Sequence, residues 1–220
     1  MIEGAIFDMD GVLVDNARFH IRAWQQLGRE YGRDLSPAAV RSYFGQRNLE
    51  MVPGLMGNHL TAEECDRLAA RKEAIYRDLI RAELEPVPGL MGFLDTLKSE
   101  GIPAALATSA PVENVEMTLE VLGLKSYWAA VVIGAEVARS KPAPDIFMLA
   151  AKRIGRAPEN CVVFEDSTSG IRAALAAGCQ CVALSTTHTA EELAAYPVLK
   201  IVPDFTTMRI RKPGTLTCFA

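Results

Sequence analysis

The stretch Gly4-Ala5-Ile6-Phe7-Asp8-Met9-Asp10-Gly11 decides the fold of this chain. It begins as a short apolar run and stops at two aspartates and a glycine. An apolar run of this length with turn residues after it is typical of a buried strand that ends in a loop. We therefore predict a first strand over residues 4–7, with Asp8 and Asp10 at its carboxyl end.

Beyond residue 86, apolar runs and helical patterns alternate. We predict strands at 104–107, 130–133, 161–164 and 181–184, and helices at 90–100, 112–122, 144–154 and 169–177. Alternation of this kind is typical of a parallel sheet with right-handed crossovers and helices on both faces. The predicted fold class is therefore α/β, with a Rossmann-like parallel sheet as its core.

A block without strand-like runs follows the first strand. Residues 16–31 carry apolar side chains at helical spacing, with Asn16 as the predicted N-cap, and residues 36–83 look wholly helical. Thr61-Ala62-Glu63-Glu64 has the pattern of a capping box. We predict an all-helical domain at 15–85, inserted into a sheet-containing core formed by 1–14 and 86–220.

Charge and composition argue against several classes of protein. The 23 basic and 27 acidic side chains give a net charge of −4, and no basic run suits nucleic acid. No apolar segment approaches the ~20 residues that span a bilayer, and residues 1–5 do not resemble a leader peptide. Five scattered cysteines suit a reducing compartment. We expect a cytoplasmic protein with no nucleic-acid or membrane partner.

Polar residues follow three of the predicted strands. Asp8 and Asp10 follow the first, Thr108 and Ser109 the second, and Glu165 with Asp166 the fourth. Ligands of such sheets bind at the carboxyl ends of the strands, so these side chains should converge. Clustered carboxylates need a hard cation or a shared proton, and Mg²⁺ is the usual cation for several oxygen ligands.

The same residue types suit phosphoryl transfer. Lys141 lies just before a predicted helix, where its charge can offset an anionic substrate. Asp8, at the very end of its strand, is the better candidate for a nucleophile. Asp10, two residues further on, is placed to protonate the leaving oxygen and then to activate the acceptor.

Four segments resemble, in order, the motifs of the haloacid dehalogenase superfamily: residues 8–15, Thr108, residues 140–145 and residues 164–167. The resemblance implies Asp8 as the phosphorylated nucleophile, Asp10 as the acid and base, and Thr108 and Lys141 as phosphate anchors. It also implies a Mg²⁺ site formed by Asp8, Glu165, Asp166 and the main-chain carbonyl of Asp10.

The helical block resembles the cap of the β-phosphoglucomutase-like phosphatases. That likeness implies a set of substrate-binding residues: Asn16, His20, Trp24, Gly45, Arg47 and Lys72 in the cap, and Ser109, Ala110 and Asn114 in the core. Without the resemblance, His20 and Trp24 would equally be helix packing residues, and Arg47 and Lys72 solvated cations.

Two loops depart from the mutase pattern. Phe44-Gly45-Gln46-Arg47-Asn48 lacks the lysine expected before the glycine, and residues 109–114 lack a serine-lysine-asparagine run. Both changes weaken the grip on a second phosphate. We therefore expect a Mg²⁺-dependent phosphatase of a small phosphorylated metabolite, a sugar phosphate. The arrangement of cap and core favours a monomer. A phosphosugar mutase is the alternative, and a non-catalytic phospho-ligand sensor is a remote one.

Overall fold

The computed structural model describes residues 2–44, 46, 48–211 and 215–218. The strands are β1 (Gly4–Phe7), β2 (Ala104–Thr108), β3 (Trp128–Ile133), β4 (Cys161–Glu165), β5 (Gln180–Leu184), β6 (Lys200–Val202), β7 (Met208–Arg211) and β8 (Thr215–Cys218). The helices are α1 (Ala17–Glu30), α2 (Pro37–Arg41), α3 (Asn48–Met56), α4 (Ala62–Ile80), α5 (Leu90–Ser99), α6 (Val112–Val121), α7 (Asp145–Arg153), α8 (Thr168–Ala176) and α9 (Ala190–Leu193). None of these helices combines the length and apolar composition that crossing a bilayer requires.

Six parallel strands form one sheet, in the order β3-β2-β1-β4-β5-β6. β1 lies inside the sheet, where Phe7 pairs in register with Leu106 of β2 and with Phe164 of β4. The carboxyl ends of β1, β2 and β4 therefore lie side by side, at the place where such sheets bind ligands. The predicted α/β class with a parallel sheet is confirmed.

Alternate residues of β1 pack on opposite faces of the sheet. Ile6 belongs to a core shared with buried residues of α7 and α8, whereas Phe7 belongs to the core on the other face. The Phe7 ring stacks on that of Phe164 at 4.6 Å and lies 6.2 Å from that of Phe93 in α5. A sheet buried on both faces holds its strand ends rigidly, and this rigidity positions the residues that follow β1.

Helices α1 to α4 form the helical insertion, and α1 packs along α4. The capping box is confirmed: Thr61 Oγ1 accepts from Glu64 N at 3.2 Å, and Thr61 N donates to Glu64 Oε2 at 2.8 Å. Two chain segments connect this insertion to the sheet, one before α1 and one after α4. A hydrogen bond of 2.8 Å from Val87 N to Leu13 O joins them. An insertion after β1 places its helices over the carboxyl ends of the strands.

Several short elements were not predicted from the sequence. The helical stretch at 36–83 is three separate helices, and β6, β7, β8 and α9 were missed. β6 has three residues, which is too short to show a hydrophobic period, and it exists through its pairing with β5. β7 and β8 likewise form only as a pair.

Candidate functional site

A partly closed cavity lies at the carboxyl ends of β1, β2 and β4. Of the residues predicted for the site, those that line it are Asp8, Asp10, Asn16, His20, Trp24, Lys72, Thr108, Ser109, Ala110, Lys141, Glu165 and Asp166. Gly45 and Arg47 lie outside the described residues. Asn114 is fully buried and is not part of the cavity wall.

Lys141 joins two carboxylates in this cavity. Its Nζ donates to Asp8 Oδ1 and to Glu165 Oε1, both at 2.7 Å, and its side chain is only 2% exposed. Burial alone would lower the pKa of Lys141, but the two carboxylates raise it, so the side chain stays cationic. Burial also raises the pKa of Asp8, to about 7, because the Lys141 charge only partly offsets it and Glu165 and Asp10 add negative charge.

Both carboxylate oxygens of Glu165 have protein partners. While Oε1 accepts from Lys141, Oε2 accepts from Asp166 N at 2.9 Å, from Ser167 N at 2.8 Å and from Ser167 Oγ at 3.0 Å. A carboxylate held by four donors fixes the groups around it. Glu165 thus positions Lys141 against Asp8, a task that the sequence did not indicate.

Asp8, Glu165 and Asp166 form a buried acidic group whose ligand oxygens lie within 4.8 Å of one another. Burial, followed by the charges of Glu165 and Asp8, raises the pKa of Asp166 well above its ordinary value. Carboxylates crowded in this way are relieved by a hard cation, and an oxygen-only donor set suits Mg²⁺. The residues therefore fit the metal. The carboxylate of Asp10 is not a member of this group, and a contribution from its main-chain carbonyl stays a prediction.

We expect Mg²⁺ to raise the thermal unfolding midpoint of the protein. At about 100 times its dissociation constant, a ligand of the folded state adds about 2.7 kcal/mol, roughly 5–10 °C for a chain of this size. Because the pKa of Asp8 is raised from 3.8 to about 7, the metal-free protein loses stability as the pH rises through that window. The gain from Mg²⁺ should therefore be larger at pH 8 than at pH 5.

Differential scanning fluorimetry with and without Mg²⁺ measures this shift. Asp166→Asn should abolish most of it, and Asp15→Asn, an exposed change in the same chain that does not touch the cavity, should leave it intact. An equal Mg²⁺ response in the Asp166→Asn chain would mean that the ion binds elsewhere.

Asp10 is held by the helical insertion. Asn16 Nδ2 donates to its Oδ1 at 2.6 Å, and His20 Nε2 lies 3.6 Å from the same oxygen. Burial alone would raise the pKa of Asp10, but the neighbouring His20 and the hydrogen bond from Asn16 lower it overall. Asn16 is the N-cap residue of α1, as predicted, but its side chain makes no capping hydrogen bond. Its Nδ2 donates instead to Asp10 and, at 2.7 Å, to the Tyr76 hydroxyl.

His20, in α1, packs against two residues of α4. Its ring stacks on Tyr76 with centroids 4.0 Å apart, and its Nδ1 lies 2.7 Å from Lys72 Nζ. Lys72 Nζ also lies 5.6 Å from the centre of the Trp24 ring. His20 and Trp24, one turn apart on α1, and Lys72 of α4 therefore lie together in one wall of the cavity.

Glu73 connects the helical insertion to the sheet domain. It accepts hydrogen bonds from Lys72 Nζ at 2.9 Å, from Asn48 Nδ2, and from Asn114 Nδ2 at 2.6 Å. Asn114, in α6, also accepts from Arg77 Nη1 at 2.9 Å. The Asn114 side chain thus bonds to Glu73 and Arg77 of α4 and does not line the cavity. The structure therefore does not place it at the predicted substrate contact.

The loop after β2 forms another wall of the cavity. Thr108 is 1% exposed, and its Oγ1 accepts from Ala110 N at 3.0 Å. This hydrogen bond closes the turn, so the backbone N–H of Ala110 is already used. Thr108 and Ser109 reach the cavity at the end of β2, as the strand-end argument predicts.

Nine further residues line the cavity and were not predicted for the site: Ala17, Phe44, Gln46, Asn48, Met51, Glu73, Pro111, Ser167 and Thr187. Ser167 directly follows the two predicted acids and is the last residue of the 164–167 segment, although no role was predicted for it. Asn48 ends the cap loop at 44–48, but no contact was predicted for it, and Glu73 and Thr187 belong to no motif quoted above. Their position depends on how helices and loops pack, which sequence spacing does not show.

Comparisons with known proteins agree with this geometry. The family model described as haloacid dehalogenase-like hydrolase matches residues 2–178. The chain is 34% identical over 181 residues to the phosphorylated carbohydrates phosphatase of Thermotoga maritima, covering 80% of this chain and 82% of that protein. It is 35% identical over 181 residues to the fructose-1-phosphate phosphatase YqaB of Escherichia coli K12, covering 81% and 94%. The structure of β-phosphoglucomutase from Clostridium difficile has a TM-score of 0.83 and 28% identity, covering 95% and 94%.

Proposed function

The chain belongs to the haloacid dehalogenase-like hydrolase family as a phosphoric monoester hydrolase, and from this premise we propose that it hydrolyses a small sugar phosphate through a phosphorylated Asp8. One observation carries the assignment. Asp8 follows the central strand and is in contact with the buried cation of Lys141 at 2.7 Å. Such an arrangement offers a rigid nucleophile beside a positive charge that attracts a phosphate group.

In the proposed first step, a carboxylate oxygen of Asp8 attacks phosphorus and the ester P–O bond breaks. Asp10 gives its proton to the leaving sugar oxygen, while Lys141 and the Thr108–Ser109 loop stabilise the phosphoryl oxygens. The negative charge of a bound phosphate raises the pKa of Asp10, which favours the protonated form needed here. Mg²⁺ bound by Asp8, Asp166, the Asp10 carbonyl and Glu165 would supply further positive charge for those oxygens.

In the proposed second step, water attacks the phosphorus of the aspartyl phosphate. Asp10 accepts a proton from that water, the bond between Asp8 and phosphorus breaks, and inorganic phosphate leaves. Contacts from Asn16 and His20 to Asp10 Oδ1 keep this carboxylate in one orientation, so that Oδ2 exchanges the proton in both steps. Asp10 is thereby restored for the next cycle.

The relatives support a sugar phosphate as the substrate, since the matched proteins of T. maritima and E. coli are named for carbohydrate and fructose 1-phosphate. We propose that residues 15–85 form a cap that closes over the substrate, with the core at 1–14 and 86–220. His20, Trp24 and Lys72 would contact the sugar, together with Asn16 and the predicted Gly45 and Arg47. Ser109 and Ala110 would contact it from the core.

A phosphosugar mutase is the second candidate, favoured by the likeness to the C. difficile β-phosphoglucomutase. A mutase passes the phosphoryl group of Asp8 to a second sugar hydroxyl instead of water, so it must hold a bisphosphate at both ends. The cap loop at 44–48 lacks the lysine expected for that purpose, and Asn114 is engaged by α4. Both observations favour the phosphatase.

Phosphorus NMR separates the two reactions. The protein is incubated with Mg²⁺, β-glucose 1-phosphate and a trace of glucose 1,6-bisphosphate, and a parallel sample contains fructose 1-phosphate. We expect inorganic phosphate as the product. Conversion of glucose 1-phosphate to glucose 6-phosphate without phosphate release would establish the mutase and contradict the proposal.

A further inference from the structure

We infer that Glu73 restricts the substrates to esters with a single phosphate, by neutralising Lys72 and by presenting its own carboxylate in the wall of the substrate cavity. Glu73 is 5% exposed and lines the same cavity as Asp8. This inference rests on the proposed function and adds to it a class of substrate: monophosphates whose remaining groups are uncharged.

The cations in the described part of the cavity wall are already paired. Lys141 is bound by Asp8 and Glu165 at 2.7 Å each, next to the proposed site of the reacting phosphate. Lys72, in the helical insertion, is 2% exposed and lies 2.9 Å from Glu73 Oε1. Lys72 would be a strong anchor for a second phosphate, but in this arrangement its charge is offset by a neighbouring carboxylate.

The Glu73 carboxylate is fixed and ionised. Besides Lys72, it accepts from Asn48 on Oε1 and from Asn114 on Oε2. Burial alone would raise its pKa, yet the charges of Lys72 and His20 and the hydrogen bonds from Lys72 and Asn48 lower it overall. A second phosphate would meet this fixed anion in a partly closed cavity, where like charges repel more strongly than in bulk water.

The same wall offers unused hydrogen-bonding capacity to an uncharged ligand. In the described part of the chain, Trp24 Nε1 is buried without a hydrogen-bond partner, and Trp24 lines the cavity. Buried polar atoms of this kind usually have a partner. Sugar hydroxyls can both accept from Trp24 and donate to Glu73, so a hydroxyl-rich group suits the wall better than a second phosphate.

The test measures binding separately from turnover. In the Asp8→Asn background, which is expected not to hydrolyse esters, calorimetry with Mg²⁺ gives the dissociation constants of fructose 1-phosphate and fructose 1,6-bisphosphate. We expect the monophosphate to bind at least tenfold more tightly. Adding Glu73→Gln should reduce that preference by about 10- to 100-fold, the effect of removing one unfavourable charge contact. Adding Glu63→Gln, an exposed change on the same helix, should leave it unaltered.

A preference that survives Glu73→Gln, a bisphosphate bound as tightly as the monophosphate before that change, or binding of neither ester would overturn the inference. Glu73→Asp, which keeps the charge, should retain most of the preference. If Glu73→Gln does not fold, Lys72→Met tests the same balance, because an unneutralised Glu73 should increase the preference. The proposed function is tested independently by phosphate release from the unmodified protein, so the two failures are distinguishable.

Discussion

Asp8→Asn is expected to abolish phosphate release, lowering kcat by at least about 10⁴-fold, which is the scale seen when an enzyme loses its nucleophile. The amide is nearly the same shape as the carboxylate and can still accept the hydrogen bond from Lys141, now 2.7 Å from Asp8. It cannot attack phosphorus, because its lone pairs are much less nucleophilic than those of a carboxylate. The loss should therefore appear in turnover and not in folding.

Initial rates of phosphate release, measured at saturating substrate with Mg²⁺, test this prediction. Asp34→Asn is the matched control, because it makes the same chemical change at an exposed position outside the cavity and outside the motifs, and it should keep its rate within about twofold. Thermal unfolding of both variants shows whether the fold is intact. Turnover that is undiminished in the Asp8→Asn chain would contradict the assignment of Asp8 as the nucleophile.

Among the variants proposed for this protein, Gly170→Ala should show the largest loss of stability, and it should also lose activity. A Cβ at this position in α8 would lie 1.7 Å from Glu165 Oε1. Glu165 is fully buried and cannot move aside without losing Lys141 and the donors of residues 166–167. We expect the free energy of unfolding to fall by at least about 3 kcal/mol, since overpacking and the disruption of a buried ion pair each cost this order of energy.

The activity of the Gly170→Ala chain should fall at least about 100-fold at a temperature where it is folded, because a shift of about 1 Å at a catalytic group has that effect. Gly92→Ala is the control. Gly92 lies in α5, and a Cβ there would meet nothing within 4 Å, so alanine should stabilise the helix by up to about 1 kcal/mol. Urea unfolding compares the two, and a Gly170→Ala chain within 1 kcal/mol of the unmodified protein would show that Glu165 is not confined by α8.

Residues at strand ends were predictable because the rule that places them is local. An apolar run followed by a polar residue marks the carboxyl end of a strand, and in a parallel sheet neighbouring ends meet at one edge. Asp8, Thr108, Glu165 and Asp166 were therefore assigned to one cavity without knowledge of a single contact. Lys141 could not be assigned by this rule, because it does not directly follow a predicted strand. The resemblance of residues 140–145 to a family motif assigned it to the same site.

The contacts of polar side chains in the helical insertion could not be predicted from the sequence. The sequence indicated helices after β1, but it did not indicate that Glu73 would face the cavity or that Asn114 would be held by α4. Those outcomes depend on the rotation of α4 about its axis and on its contact with α6. A pattern of apolar residues at helical spacing shows which face is buried, yet it does not show which neighbour each polar side chain meets.

By itself, then, the sequence determined the α/β class, the inserted helical block and the acidic strand ends, because hydrophobic periodicity and the order of strands act locally along the chain. Only the tertiary structure decided the partners of each charge: Glu165 with Lys141, Asn16 with Asp10, and Glu73 with Lys72. Except for the adjacent residues 72 and 73, these partners are separated in sequence. Burial then sets the strength of their interactions, and burial is a property of the packed molecule.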